Sequence, residues 1–197
     1  MPTTVSLLEG AALSYLAETG GERELAAVRS HLAKIPEELE KSPEQGEEVA
    51  EALGDFRHAA AMELHLRLLQ WADRAVRKAA ILSAGRAGHR ELVPHLVRLL
   101  ADQKFSSEAR RALQEYGPRI LGTLADVLRD PTEDLEVRRS IPLVLAYMPD
   151  QAAVDLLVES LFDYDGLMRY RAIRALGKLR LIDPALQLMM EAVHRYE

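Results

Sequence analysis

The sequence predicts an all-α protein built from stacked helix pairs, a right-handed α–α superhelix of about five to six pairs. Three observations lead to this prediction. Ala, Leu, Glu and Arg are abundant and only 5% of the residues are aromatic, a composition that favours helices. Apolar residues recur at spacings of three and four, which places them on one helix face. A pattern of about 30 residues then recurs along the chain, which is typical of a repeat protein.

The repeat is clearest in an arginine-bearing helix that follows a short turn. An aspartate precedes three copies and a serine precedes the fourth, so these residues are predicted N-caps. The copies begin at Asp73, Ser106, Asp134 and Asp165. Their aligned arginines are Arg77, Arg110, Arg138 and Arg169, with separations of 33, 28 and 31 residues. This period accommodates two helices of about a dozen residues and two short turns.

A leucine-rich helix with one apolar face alternates with the arginine-bearing helix. Leucine-rich helices are predicted near residues 57–70, 91–101, 118–129, 151–162 and 184–196. Arginine-bearing helices are predicted near residues 44–53, 74–85, 106–116, 134–147 and 165–180. Gly85, Gly117 and Gly177 are expected to close arginine-bearing helices, because glycine readily adopts the left-handed conformation found after many helix ends.

The first 43 residues depart from the repeat. Segments 5–17 and 22–33 are predicted to form a degenerate helix pair, followed by an acidic, proline-punctuated connection at residues 35–43. Ser42 opens a Ser-Pro-Glu-Gln pattern that has the form of a capping box. The predicted organisation is an N-terminal region, residues 1–43, and a repeat region, residues 44–197, packed together as one continuous solenoid.

Two sequence patterns resemble a known family. Residues 92–102, Leu-Val-Pro-His-Leu-Val-Arg-Leu-Leu-Ala-Asp, are similar to the first helix of a HEAT repeat, and residues 76–79, Val-Arg-Lys-Ala, to the second. The resemblance covers about residues 44–180, is nearest to bacterial phycobilisome-lyase-like HEAT repeats, and implies a HEAT/armadillo-like solenoid. Residues 105–180 are also similar to the soluble HEAT domain of bacterial membrane proteins related to ATP/ADP translocases and major-facilitator transporters. That similarity implies a cytosolic regulatory domain of a larger protein.

Composition and motifs exclude several kinds of site. The chain has no cysteine, which rules out disulfides and cysteine-based sites and fits a cytoplasmic location. No apolar run approaches the roughly 18 residues of a membrane span, and the first residues lack the features of a signal peptide. His58 and His65 share a helix face, but a surface or half-buried pair is expected there rather than a metal site. With no phosphate-binding, dinucleotide or nucleophile motif, neither an enzyme nor a cofactor or metal is predicted.

Basic residues on successive arginine-bearing helices form the main candidate site. In HEAT proteins these helices line the concave face, so the resemblance implies a surface for an acidic partner or for phosphates. The first arginine of each copy is expected to pair with a turn aspartate or a helix end of the neighbouring repeat. The available aspartates are Asp73, Asp102, Asp130 and Asp163. The predicted partner-binding residues are Lys78, Arg111, Arg139, Arg171, Arg174 and Trp71, although Trp71 also suits a packing role.

Three functions fit these features. A non-catalytic scaffold for protein–protein interaction is the leading prediction, because an extended repeat surface carries no catalytic constellation. A nucleic-acid-binding or DNA-repair protein that uses the concave arginines is the alternative, but a net charge of −6 argues against nucleic acid as a partner. A phycobilisome-lyase-like accessory enzyme is implied by the resemblance alone. The last helix, residues 184–196, has no following partner, which predicts further chain or a dimer through this helix.

Overall fold

The computed structural model describes residues 13 and 15–186, and helices are the only regular structure in this part of the chain. Residues 15–19 are helical, and ten complete α-helices follow. They are α1 (Glu22–Lys41), α2 (Gly46–Ala52), α3 (Met62–Leu68), α4 (Arg74–Ala87), α5 (Val93–Arg98), α6 (Ser106–Tyr116), α7 (Leu121–Arg129), α8 (Leu135–Leu145), α9 (Gln151–Glu159) and α10 (Gly166–Ile182). Flanking 3-10 turns are Pro43–Gln45, Leu53–Asp55, Ala59–Ala61, Arg90–Leu92, Leu99–Ala101, Gly117–Ile120 and Ser160–Phe162. The predicted all-α class is confirmed.

The predicted alternation of two helix types is also present. The arginine-bearing helices are α4, α6, α8 and α10, and the leucine-rich helices are α3, α5, α7 and α9 with their 3-10 turns. Helix α2, predicted as the first arginine-bearing helix, takes its place in the alternation but contains no arginine. In the leucine-rich helices the apolar stripe is buried, as shown by Leu96 and Leu124, which are 0% exposed. Two predicted helices reach outside the described residues. The helix at 184–196 lies outside them from residue 187 onwards, and the helix at 5–17 lies only partly within them.

The predicted connection at residues 35–43 is wrong, because α1 continues through Pro36 to Lys41. The helix buries Leu32, Ile35, Pro36 and Leu39 on one face. Burial of this stripe offsets the hydrogen bond that a proline removes from a helix interior. The predicted capping box at Ser42 is not formed either, since α2 begins after Gln45, whose side chain makes no capping hydrogen bond.

Aspartates begin the arginine-bearing helices as predicted in three of four copies. The Asp73 carboxylate accepts hydrogen bonds from the backbone N–H groups of Ala75 and Val76, at 2.8 and 3.1 Å. Asp134 and Asp165 cap α8 and α10 in the same way. The predicted N-cap at Ser106 is wrong, because Ser106 is already the first residue of α6 and the buried Phe105 precedes it. The backbone N–H groups of Phe105 and Ser106 both donate to the Asp102 carbonyl, and this turn leads into α6.

One of the three predicted helix-closing glycines does close a helix. Gly117 follows α6 with a positive φ of 60°. Helix α4 instead ends at Gly88, whose φ is 72°, and Gly85 is buried inside the helix. Gly177 lies within α10, which continues to Ile182. The helix continues because its neighbour Leu176 and the following Leu179 are both buried. A left-handed residue is needed only where the helix actually stops.

The chain divides into two compact units, unit 1 up to Leu96 and unit 2 from Val97 onwards. In unit 1, α1 packs against α3, and α2 packs against α4. In unit 2 the arginine-bearing helices contact one another in order, α6 with α8 and α8 with α10. The predicted division at residue 43 and the continuous packing stay predictions. Within the described residues, no helix combines the length and apolar character that crossing a bilayer requires.

A candidate binding groove in unit 2

A groove with a volume of about 610 Å³ crosses the three arginine-bearing helices of unit 2. Helix α8 lies between α6 and α10, because it contacts both of them. Side chains from all three helices line the groove: Ser107, Arg110, Arg111, Gln114, Leu143, Ala146, Tyr147, Arg174, Ala175 and Lys178. The α6 residues recur at helical spacing, and so do Arg174 and Lys178 on α10, which puts each set on one helix face.

Four cations line this groove, and no aspartate or glutamate is among its described lining residues. Arg111, Arg174 and Lys178 are exposed, and Arg110 is half-buried. Within the described part of the chain, Arg110 and Arg111 make no ion pair or hydrogen bond. Their guanidinium groups therefore keep their full donor capacity for a ligand in the groove.

The two cations from α10 are held against tyrosine rings. The Lys178 ammonium lies 5.2 Å from the ring centroid of Tyr147, which is 54% exposed. The Arg174 guanidinium lies 5.9 Å from the ring centroid of Tyr170 and donates a 3.1 Å hydrogen bond to its hydroxyl oxygen. Such cation–π contacts orient flexible side chains and limit the entropy that they lose when a ligand binds.

The groove also has apolar and neutral polar surface. Ala146 and Ala175 are buried small residues beside Leu143, so they leave room above α8. The Gln114 amide donates a 3.2 Å hydrogen bond from Nε2 to the carbonyl of Leu143. Its Oε1 atom keeps its capacity to accept a hydrogen bond, for example from a peptide N–H.

Arg138 makes the structural contacts predicted for the first arginine of each copy. Its side chain is only 9% exposed and donates to the Leu128 carbonyl at 3.0 Å and to the Asp163 carboxylate at 3.0 Å. It thus joins the end of α7 to the turn before α10. Two of the other first arginines, Arg169 and Arg110, behave differently. Arg169 donates to the carbonyls of Asp163 and Tyr164 in the turn before its own helix, and Arg110 lines the groove.

The remaining predicted turn aspartates are engaged locally. Asp73 caps α4, and Asp102 accepts a 2.8 Å hydrogen bond from the backbone N–H of Lys104. Asp130 accepts hydrogen bonds from the hydroxyl and the backbone N–H of Thr132, which lower the pKa of its carboxyl below the ordinary value. Short loops favour such aspartate turns over long-range ion pairs, because the donor lies only two residues away.

The predicted partner-binding residues are not all brought together. Arg111 and Arg174 line the groove. Arg139 instead pairs with Asp165 and Glu136, and the Asp165 hydrogen bond raises the pKa of its guanidinium. Arg171 donates to the Arg139 carbonyl at 2.9 Å, so both residues have structural contacts in unit 2. Lys78 and Trp71 belong to unit 1, where Lys78 is exposed and Trp71 is half-buried.

Several lining residues were missed in the sequence. The sequence predicts a structural pairing for Arg110, as for the first arginine of every copy, and does not single out Tyr147 or Lys178 as binding residues. A signal for α6 was present, since Ser107, Arg110, Arg111 and Gln114 follow the spacing of one helix face. No comparable signal joins α6 to α10, because their contribution to one groove depends on how both helices pack against α8.

Unit 1 carries a groove of different character and a buried histidine. Its groove, about 660 Å³, is lined mainly by apolar residues of α1 and α3, and Arg67 there is paired with Glu63 at 3.2 Å. The ring of His58 accepts a hydrogen bond from the backbone N–H of Ala60, whereas His65 is 0% exposed. The prediction that both histidines are at the surface or half-buried is therefore wrong for His65. The described residues contain no group of three or more potential metal ligands.

Comparison with known proteins identifies the repeat. A family model described as HEAT repeats matches residues 37–116 and 121–196. No curated protein matches the chain significantly. A crystal structure of an engineered protein from the Northeast Structural Genomics Consortium aligns at 22% identity over 87% of this chain and 79% of its own. Its TM-score of 0.35 is too low to carry an argument about function.

Proposed function

Because the chain belongs to the HEAT-repeat family, we propose that it is a non-catalytic scaffold that binds a segment of another protein in the groove of unit 2. The observation that carries the proposal is the lining of that groove. Helices α6 and α10 each contribute two cations to it, and apolar residues at the end of α8 lie between them. An elongated repeat surface of this kind suits partner binding, since each repeat adds side chains to the same face.

The chemistry of the groove supports binding rather than catalysis. Its described lining contains cationic, amide, hydroxyl and apolar groups, and no histidine or carboxylate that could act as a general base. Ser107 donates a 2.7 Å hydrogen bond to the neighbouring Glu108 carboxylate and is exposed. The described lining holds no histidine that could activate this hydroxyl, as the base of a catalytic triad does.

Site-specific crosslinking tests this proposal. A photo-crosslinking amino acid at Tyr147, which lies in the groove, should capture a protein that mass spectrometry identifies. The same group at Tyr164, which is 79% exposed and outside the groove lining, is the matched control. The captured protein is then purified for affinity measurements. Equal capture at both positions contradicts the proposal.

We also propose that the scaffold is part of a larger assembly. The proposal that the chain is a cytosolic regulatory domain of a larger bacterial membrane protein rests on the sequence resemblance of residues 105–180 alone, because the family match identifies HEAT repeats in general. A dimer through residues 184–196 is the companion proposal for the chain by itself. Light scattering of the purified chain tests it: a monomer mass at micromolar concentration contradicts a dimer.

A further inference from the structure

We infer that the groove of unit 2 recognises a short run of consecutive acidic residues in an extended segment of the partner protein. This inference rests on the proposed function, namely that the groove binds a protein segment. It adds the chemical class of the ligand, its conformation and the spacing of its charges.

The charge of the groove selects an anionic ligand. Arg110, Arg111, Arg174 and Lys178 concentrate four positive charges in about 610 Å³, without a described acidic residue in the lining. Elsewhere in unit 2, cations meet carboxylates: Arg138 meets Asp163, and Arg129 meets Glu159 at 2.6 Å. Like charges gathered without counter-charges repel one another, and a ligand carboxylate relieves that repulsion.

The length of the groove limits the segment that it holds. Its longest wall runs from Ser107 to Gln114 on α6, which corresponds to about 10 Å at 1.5 Å per residue. An extended chain advances by about 3.3 Å per residue, so about three residues fit along this wall. Gln114 lies in the same wall, and its amide oxygen is able to accept one N–H of an extended backbone.

The position of the cations sets the spacing of the acidic residues. Arg110 and Arg111 lie on α6, and Arg174 and Lys178 lie on α10, on the other side of α8. Successive side chains of an extended peptide point to opposite sides. A peptide that lies over α8 therefore meets both walls only when neighbouring residues are acidic. Acids at every second position would all face one wall.

The same groove is poorly suited to a nucleic acid. Single-stranded nucleic acids stack their bases on exposed aromatic rings, and Tyr147, the aromatic residue in the described lining, already has the Lys178 ammonium over its ring. The cationic lining is only about 10 Å long, which spans few phosphates. The chain also has a net charge of −6, so long-range attraction of a polyanion is absent.

Fluorescence anisotropy with the full chain tests the inference. Four labelled probes of equal length are compared: a peptide with three consecutive glutamates, a peptide with three glutamates at alternate positions, a glutamine peptide, and a single-stranded oligonucleotide. The consecutive-acid peptide should bind about tenfold or more tighter than the glutamine peptide and measurably tighter than the alternate-acid peptide. Its affinity should fall on going from 50 to 200 mM salt, because the charges are near the surface.

Charge reversal locates the binding. Arg111→Glu and Lys178→Glu, one on each wall, should each abolish the preference for the acidic peptide. Lys104→Glu changes the charge equally at an exposed position of unit 2 outside the groove lining, and should leave affinity nearly unchanged. Circular dichroism confirms that each variant keeps its helical content. Equal binding of the two acidic peptides, or tighter binding of the oligonucleotide, overturns the inference.

The experiment separates the inference from the proposed function. One outcome is that the partner crosslinks from Tyr147 while its affinity is unchanged by Arg111→Glu, by Lys178→Glu and by salt. The inference of acidic recognition is then wrong, and the groove binds the partner segment in another way. If the partner crosslinks equally well from Tyr164, the groove itself is not the binding surface. Both outcomes are decided on the same purified proteins.

Discussion

The two units solve the burial of polar side chains in opposite ways. In unit 1, His65 is 0% exposed and donates from Nε2 to the Ser83 hydroxyl at 2.9 Å, while Ser83 donates to the Ala80 carbonyl. In unit 2, Arg138 is buried as one half of an ion pair with Asp163. The neutral arrangement depends on His65 staying unprotonated, whereas the ionic one depends on two opposite charges. The lesson is that repeats of one family can bury polar groups of very different pH sensitivity.

The difference predicts separate pH ranges for the two units. Burial lowers the pKa of His65 from 6.5 to about 3, with smaller contributions from nearby His89 and Arg86. Stability from neutral His65 is therefore complete above about pH 6.5 and is lost as pH falls towards 3. In unit 2 the hydrogen bond from Arg139 lowers the pKa of Asp165 from 3.8 to about 2. The contribution of the ionised Asp165 carboxylate to the stability of unit 2 is complete above about pH 3.8 and is lost only as pH falls through 2.

The largest effect is expected when the buried ion pair of unit 2 is broken. Arg138→Met leaves the Asp163 carboxylate, which is 13% exposed, without its cation, and leaves the Leu128 carbonyl without its donor. The free energy of unfolding should fall by about 3–5 kcal/mol, measured by urea denaturation. Adding Asp163→Asn should recover part of the loss, because the unpaired charge is removed. A loss below about 1 kcal/mol would mean that water compensates the broken pair.

The next largest effect is the acid sensitivity of unit 1. Lowering the pH from 7 to 5 should cost unit 1 about 2 kcal/mol, since 1.5 pH units separate pH 5 from the ordinary histidine pKa. Hydrogen exchange of α3 and α4 measures this loss, and Trp71, the single tryptophan, reports it by fluorescence. His65→Leu should remove the pH dependence. Equal acceleration of exchange in α8 and α10 would contradict a difference between the units.

Capping aspartates should have an intermediate and equal effect in the two units. Asp73 and Asp134 each accept two backbone N–H groups, at 2.8 and 3.1 Å and at 2.7 and 3.2 Å. Replacing either with alanine should cost about 1 kcal/mol. Urea denaturation of both variants measures the loss. A clear inequality between them would show that surrounding packing, rather than the local cap, controls the start of these helices.

The smallest effect is expected for an exposed ion pair in unit 2. Arg129 and Glu159 have side chains that are 56% and 50% exposed, although they contact each other closely. Arg129→Met should change the free energy of unfolding by at most about 1 kcal/mol, because water solvates both charges well. The same denaturation measurement compares it with Arg138→Met. Similar losses for the two arginines would show that burial is not what distinguishes them.

Features that depend on near neighbours in the chain were predictable from the sequence. Helix type and order follow from apolar spacing, and Asp73, Asp134 and Asp165 cap helices because their acceptor groups lie two or three residues away. Errors arose where a distant contact outweighed a local signal. Pro36 stays inside α1 because Ile35 and Leu39 beside it are buried, and Gly177 stays inside α10 for a similar reason.

By itself, the sequence determined that this chain consists of repeated helix pairs bearing arginines at regular intervals. Only the tertiary structure decided what each arginine does. Arg138 is buried with Asp163, Arg139 is paired with Asp165, and Arg110 and Arg111 remain in an acid-free groove. The physical reason is that charge pairing and burial depend on distances between helices about 30 residues apart in the sequence, and a helical pattern defines faces without defining which faces meet.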